Sequence, residues 1–349
     1  MFKGVLYALL AAVLFGVSTP LAKLLLPQVS PMLMAGLLYL GSGVGLALYS
    51  FVRARSTSPG QQEAALTRQD APWLAGAIAA GGVVAPVLLM WGLATTPASS
   101  ASLLLNLEGV LTALLAWFVF KENFDRRIAL GMALIAAGGV CVSWMGRPEA
   151  GVPWSALAIV GACLAWAIDN NLTRKVSAGD PVQIAMLKGL VAGIVNTGLA
   201  FALGAKLPAA SALMMTGVVG FFGYGVSLTL FVLALRHIGT ARTGAYLSTA
   251  PFVGAVISIL FLGDQLTIGF GVAAILMAVG VWLHLTERHE HQHQHEPMEH
   301  DHLHTHDEHH QHAHGPNDPL GEPHSHPHRH EKLVHSHPHY PDIHHRHEH

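Results

Sequence analysis

From Met1 to about Arg288 the chain is a series of apolar runs separated by short polar joints, and from His289 to His349 that pattern stops. A helix needs about 20 mostly apolar residues to cross the hydrocarbon of a bilayer. Ten segments meet that length: 4–25, 31–52, 72–94, 98–119, 126–145, 153–173, 181–203, 211–235, 240–262 and 267–286. Pro and Gly punctuate the joints, at Pro27, Pro31, Pro59, Gly60, Pro97, Pro148, Gly151, Pro181, Pro208, Gly239 and Gly263. The joint between the eighth and ninth runs is the thinnest, marked only by Arg236, His237 and Arg242. The first run has the outline of a signal peptide, one Lys before an apolar stretch. Nine more runs follow it, so it reads as an uncleaved first span.

Composition agrees with this pattern. The chain is 52% hydrophobic and 11% charged, where a soluble domain carries about a quarter charged residues. The near-neutral total hides two opposed regions: residues 1–288 carry a net +6 and the remainder a net −8. Lys and Arg also set the orientation. With the N-terminus in the cytoplasm, 12 of them fall on the inner side (Lys3, Arg53 and Arg127 among them) and 3 on the outer side, Lys23, Arg147 and Lys206. Ten spans then place the C-terminus in the cytoplasm as well. Cys141 and Cys163 both lie in apolar runs and form no CxxC motif.

Shifted by 142, the second half overlays the first. Leu105 meets Leu247, Ala113 meets Ala255, Leu134 meets Leu276, and Gly138 meets Gly280. Lys121-Glu122 meets Gly263-Asp264; further upstream the shift becomes 150, and Ser30-Pro31 meets Asp180-Pro181. Five spans per half is odd, so the halves enter the membrane from opposite sides, as in secondary transporters built from inverted repeats. The expected fold is all-α and integral to the membrane. It has ten transmembrane helices in two inverted five-helix repeats (1–146 and 152–286) and a disordered His-rich tail (287–349).

Three stretches carry a resemblance: FGVSTPLAK (Phe15 to Lys23), LEGVLTALLAWFVFKEN (Leu107 to Asn123) and STAPFVGAVISILFLGDQLT (Ser248 to Thr267). Over about 1–286 the chain resembles the EamA branch of the drug/metabolite transporter superfamily. Members end an apolar span in Gly-Glu; here the two copies read Lys121-Glu122 and Gly263-Asp264. The usual proline of the fourth span is Gly109, while its repeat partner Pro251 is present. The resemblance implies ten helices in two repeats and transport of small metabolites, without naming one.

Ionisable groups inside spans usually face a cavity or a partner. Glu108, Asp169 and Lys188 stand out. They read either as substrate or proton-coupling groups in one cavity, or as structural pairs, Glu108 with Lys188 and Asp169 with the nearby Arg174 and Lys175. Asn106, Asn170 and Asn196 join them as cavity candidates, with interhelical hydrogen bonding as the alternative. Asn106 and Glu108 lie about 200° apart on a helix, so they cannot line one cavity together. Gly109 and Pro251 interrupt matching spans, the best sequence pointer to a transporter site; they are the candidate hinges, and Tyr246 and Ser248 become cavity candidates beside them. Trp91 and Trp166 are weaker candidates. Glu122 and Asp264 read as helix caps.

The tail holds 23 of the 25 histidines. Neutral imidazole binds Zn, Ni, Cu and Co. His291, His293, His295, His302, His304, His306, His324, His326, His328, His330, His335, His337 and His339 recur at every second or third position among Asp, Glu and Pro. That spacing suits a multi-ion binder, not a structural zinc site of few ligands, and the composition suits disorder. A proton-responsive tail is the other reading.

These features predict a secondary transporter of small organic metabolites such as amino acids, an exporter in a bacterial inner membrane. Protons are the candidate coupling ion, and the tail holds divalent metal. No cofactor is required for transport and no nucleic-acid partner is expected. The alternative is an exporter of transition-metal ions fed by the tail, although within the spans only Glu108, Asp169 and His284 could serve as ligands. A metal sensor without transport fits the internal repeat poorly. No nucleotide-binding or catalytic motif appears, so no enzyme is expected.

Overall fold

Proline starts many of the helices, because its missing N–H is not needed in a first turn. Pro31 opens α2 (Pro31–Ala54) and Pro181 opens α9 (Pro181–Ala202); Asp180 caps α9, its Oδ1 accepting from Val182 N at 2.8 Å. The computed structural model describes residues 2–54, 66–120, 126–144, 154–176, 179–286, 290–295, 298–304, 324–330 and 333–338. The remaining helices are α1 (Phe2–Leu25), α3 (Ala71–Ala77), α4 (Ala85–Thr95), α5 (Ala98–Leu104), α6 (Leu107–Phe120), α7 (Arg126–Trp144) and α8 (Trp154–Thr173), then α10 (Ala210–Gly220), α11 (Ser227–Leu247), α12 (Ala250–Leu262) and α13 (Ile268–Leu285). Among the described residues seven stretches are long and apolar enough to cross a membrane; three shorter apolar helices, Ala129–Ser143, Ala250–Leu262 and Ile268–Leu283, stand beside them. Bulky side chains such as Leu48, Leu260 and Ile275 stay exposed, as a lipid-facing rim requires.

Helical hydrogen bonding runs on through Leu247, yet the chain turns back within α11. Gly4 lies on His237 and Ile238, and Gly16 lies on Ala250 and Val253. Passing from residue 238 to 250 therefore retraces α1 from its start to its middle. The thinnest joint of the sequence is a real reversal, and residues beyond it begin the ninth span.

The two repeats are inverted copies, and the packing shows it pair by pair. Gly138 of α7 lies on Ala273 and Met277 of α13; Gly280, its mate at a shift of 142, lies on Gly131 and Ile135, the mates of those two residues. Gly43 of α2 lies on Leu190 and Gly193 of α9 lies on Leu40, mates at a shift of 150. Glycine at these crossings lets backbones touch where any side chain would hold them apart. At the level of helices, α1 packs on α11 as α8 packs on α4, and α1 packs on α12 as α8 packs on α6. The pairs α2–α9 and α7–α13 map onto themselves.

Four spans are interrupted, in two matching pairs. The third span passes through a π-helical stretch at Ile78–Val84 and the eighth through one at Phe221–Val226. The fourth breaks between α5 and α6, and the ninth between α11 and α12. In both breaks a tightened turn forms: Asn106 N donates to Leu103 O and Thr249 N to Tyr246 O. The same side chains back up the turn, Asn106 Nδ2 to Leu103 O at 3.2 Å and Thr249 Oγ1 to Tyr246 O at 2.7 Å. Pro251 is thus in the first turn of α12, not mid-helix, and Gly109 is in the first turn of α6. The interruptions precede the two residues by two or three positions. The breaks face each other: a methyl group on Gly109 would sit 3.6 Å from Ser248 Oγ.

The described tail backbone forms two short antiparallel ladders, Glu290–His295 with Leu333–Pro338 and Met298–His304 with His324–His330. The tail was expected to lack fixed structure. An alternating sequence can adopt extended pairing, but a two-stranded ribbon is marginally stable in water without an apolar face to bury, and these strands are mostly His, Gln, Glu and Asp. The register sets His300, His302 and His304 opposite His328, His326 and His324. His306, His339 and Glu122 lie outside the described residues.

Candidate functional site

A cavity of about 650 Å³, mouth included, opens between the repeats. Its floor is aromatic. Phe15 of α1 meets Trp166 of α8 and Tyr224 edge-to-face at 5.9 and 5.8 Å, and Tyr39 of α2 meets Tyr224 at 5.4 Å. The π stretch at 78–84 holds this floor in place. Its Gly81 carbonyl accepts from both Tyr39 Oη at 2.7 Å and Trp166 Nε1 at 3.0 Å. No side chain fits at Gly81, because its α-carbon presses against the Asp169 carboxylate. Counted along their helices, the lining residues run from the midplane toward the membrane face at which α1 begins, the near face.

The wall carries three ionisable groups and an amide. Glu108, second residue of α6, is half-buried, and its Oε1 accepts from Asn170 Nδ2 at 2.8 Å. Lys188 Nζ donates to Asp169 Oδ1 and Oδ2 at 2.6 and 2.7 Å and to Thr173 Oγ1 at 3.1 Å; Thr173 Oγ1 in turn donates to Asp169 Oδ1 at 2.7 Å. The structural pair read for Lys188 with Glu108 is therefore replaced by one with Asp169. Helices α8 and α9 are antiparallel and joined by a short turn, so residues a few positions before and after that turn stand level. Arg174 and Lys175 sit in the closing turn Arg174–Val176, and Lys175 Nζ lies 5.9 Å over the Trp73 ring.

Of the residues singled out in the sequence, Glu108, Asp169, Asn170 and Lys188 line the cavity, and so does Trp166. Asn106 braces the α5–α6 break and reaches Met277 Sδ at 3.8 Å. Asn196 donates to the Gly82 carbonyl at 3.1 Å, so its role here is to hold the π stretch against α9. Tyr246 packs beside Ala8 and Ile238, and Ser248 Oγ bonds back to Gly244 O at 3.0 Å. Their neighbour Leu247 is the lining residue. Trp91 is 63% exposed on the outer surface of the bundle. Sequence reasoning passed over Phe15, Tyr39 and Tyr224. The signal was present for the tyrosines: two phenols in mid-span, far from the interfacial belt where Tyr usually sits.

The far face is closed by charge. Lys23, near the end of α1, donates to Leu93 O, Ala94 O and Thr96 O at 2.6, 3.1 and 2.9 Å, satisfying the C-terminal carbonyls of α4. Asp264 of the second repeat accepts from Ser99 N at 2.8 Å at the start of α5. It caps a helix across the repeat boundary, not the helix that follows it.

The profile of the EamA-like transporter family matches residues 2–144 and 153–286, one copy per repeat. The chain belongs to the EamA-like transporter family. It is 28% identical over 294 residues to an uncharacterized transporter of Methanothermobacter thermautotrophicus, covering 80% of this chain and 85% of that one. It is 23% identical over 188 residues to the uncharacterized inner membrane transporter YedA of Escherichia coli, covering 51% and 57%. A crystal structure of a protein 16% identical in sequence shares the fold at a TM-score of 0.61, over 80% of this chain and 94% of that one. This EamA-like protein is therefore an integral membrane transporter of small molecules and not an enzyme.

Proposed function

We propose that this EamA-like transporter is a secondary exporter of small organic metabolites, amino acids or related compounds, in a bacterial inner membrane. The carrying observation is the cavity itself: residues of both repeats line it, Glu108 enters it, and interrupted spans flank it. Alternating access needs a central site and two gates. Lys23 and Asp264 close the far gate by tying α1 and α12 to the ends of α4 and α5. Both termini lie in the cytoplasm, which the Lys/Arg bias supports, so the cavity opens inward to load solute. Glu108 is the group that would exchange a proton during the cycle.

The tail binds divalent Zn, Ni, Co or Cu from the cytoplasm; opposed histidines in its ladders support this. Metal export is the second reading, favoured by the tail alone. Among the described residues no cluster of three His, Cys, Asp or Glu side chains could pass an ion inward, and Asp169 is committed to Lys188.

Liposomes reconstituted with the intact chain and preloaded with a metabolite extract test the assignment. Accumulation of labelled organic solute by exchange, lost in Glu108→Gln, is expected. Equal exchange in both overturns the role of Glu108, and movement of Zn or Ni in place of organic solute selects the metal reading.

A further inference from the structure

The transport reading spans amino acids and related compounds; resting on its transport of organic metabolites, the cavity chemistry narrows that range to related amines and away from amino acids themselves. An ammonium has three N–H donors. All three of Lys188 are spent, two on Asp169 and one on Thr173. The pair is closed to solute as well: the side chains are 3% and 7% exposed. Asp169 and Lys188 therefore cancel, and among the described lining residues one uncompensated charge is left, the half-buried carboxylate of Glu108. The remaining donors are neutral. Asn170 Nδ2 gives one of its two N–H groups to Glu108, and Tyr39 and Trp166 give theirs to the Gly81 carbonyl. What remains facing the void is a carboxylate, hydroxyls and the rings of Phe15, Tyr39, Trp166 and Tyr224.

A negative charge beside aromatic rings suits a cation, through a charge-assisted hydrogen bond and cation–π attraction. An anion would meet Glu108 with no free cation among the described lining residues to receive it. A zwitterion would satisfy its ammonium and leave its carboxylate partly desolvated without a cationic partner, which is costly. We infer that the cavity selects small organic amines, solutes that carry an ammonium and no carboxylate, with Glu108 as the residue that determines this preference.

Three probes share one ring and differ in charge: phenylethylamine, phenylalanine and phenylacetate. With the full chain in liposomes, phenylethylamine is expected to exchange or compete at least about tenfold better than phenylalanine, the scale of one charge-assisted contact, and phenylacetate not at all. Glu108→Gln, which loses exchange, is expected to bind the three probes without preference, read by competition in the detergent-solubilised chain. Glu108→Asp keeps the order of the three at a reduced rate, which separates a charge requirement from a misfolded cavity. Phenylalanine or phenylacetate matching the amine overturns the inference, and so does failure of all three. Exchange of the mixed metabolite extract in the same liposomes shows whether the transport reading falls with it: exchange without amine preference overturns only the class of solute, and no exchange at all overturns both.

Discussion

At the scale of residues, the sequence exposes chemistry more readily than partnership. Glu108, Asp169 and Lys188 are legible because ionisable groups are costly inside a bilayer. Which of them pair is not legible, because pairing depends on the α8–α9 turn bringing Asp169 level with Lys188. The finding carries a stability consequence. Removing one partner of a buried pair strands a charge, at a cost of about 3–5 kcal/mol, whereas replacing both is often neutral. Lys188→Met is expected to lower the unfolding temperature of the detergent-solubilised chain markedly. The double variant Asp169→Asn with Lys188→Met should recover most of that loss. Thermal unfolding followed by size-exclusion chromatography checks this, and a double variant as unstable as the single one would show that the pair is not the reason Lys188 is tolerated in the membrane.

Helices were legible in number and approximate bounds, but not in their interruptions. Gly109 and Pro251 pointed to the correct spans, yet the breaks lie before them at Leu105-Asn106 and Ser248-Thr249, because proline is most at ease in a first turn. The π stretches left no sequence signal beyond small residues around Gly81 and Gly223; such stretches recur at functional sites, and here one supplies the carbonyl that fixes Tyr39 and Trp166. The far gate follows the same logic of helix ends. Lys23 satisfies three carbonyls at the end of α4 that would otherwise lack partners, and Asp264 satisfies an N–H at the start of α5. Lys23→Gln removes the charge that complements the α4 dipole, an interaction of about 0.3–1 kcal/mol or more where partly buried. The gate should then open more often. A cysteine at Ser99, which is 2% exposed in the closed arrangement, reports this: a thiol reagent confined to the far side should label it several-fold faster in the Lys23→Gln background. An unchanged labelling rate would mean that Lys23 serves helix stability and not closure.

The whole molecule joins two solvents and two charge regimes. The inverted repeat was readable because a shift of 142 preserves the small residues at helix crossings. Gly138 and Gly280 occupy equivalent crossings since both must admit a close backbone. The tail is readable only as chemistry. On the proposed metal-binding reading, its net −8 and recurrent imidazole would attract divalent cations whatever its conformation, while the body keeps its packing in α-helices that end before it. Metal capacity and transport should therefore separate. A chain ending at Arg288 is expected to lose nearly all Zn and Ni binding, measured by equilibrium dialysis near neutral pH where imidazole is largely unprotonated. It should keep solute exchange within about twofold of the intact chain in metal-free buffer, since the cavity and the far gate lie wholly in the body. Added Zn then gives the decisive comparison. Inhibition or activation of the intact chain alone makes the tail a metal-responsive regulator of transport. An equal response in both chains would place the effective metal site in the body, against the ligand poverty of the described spans.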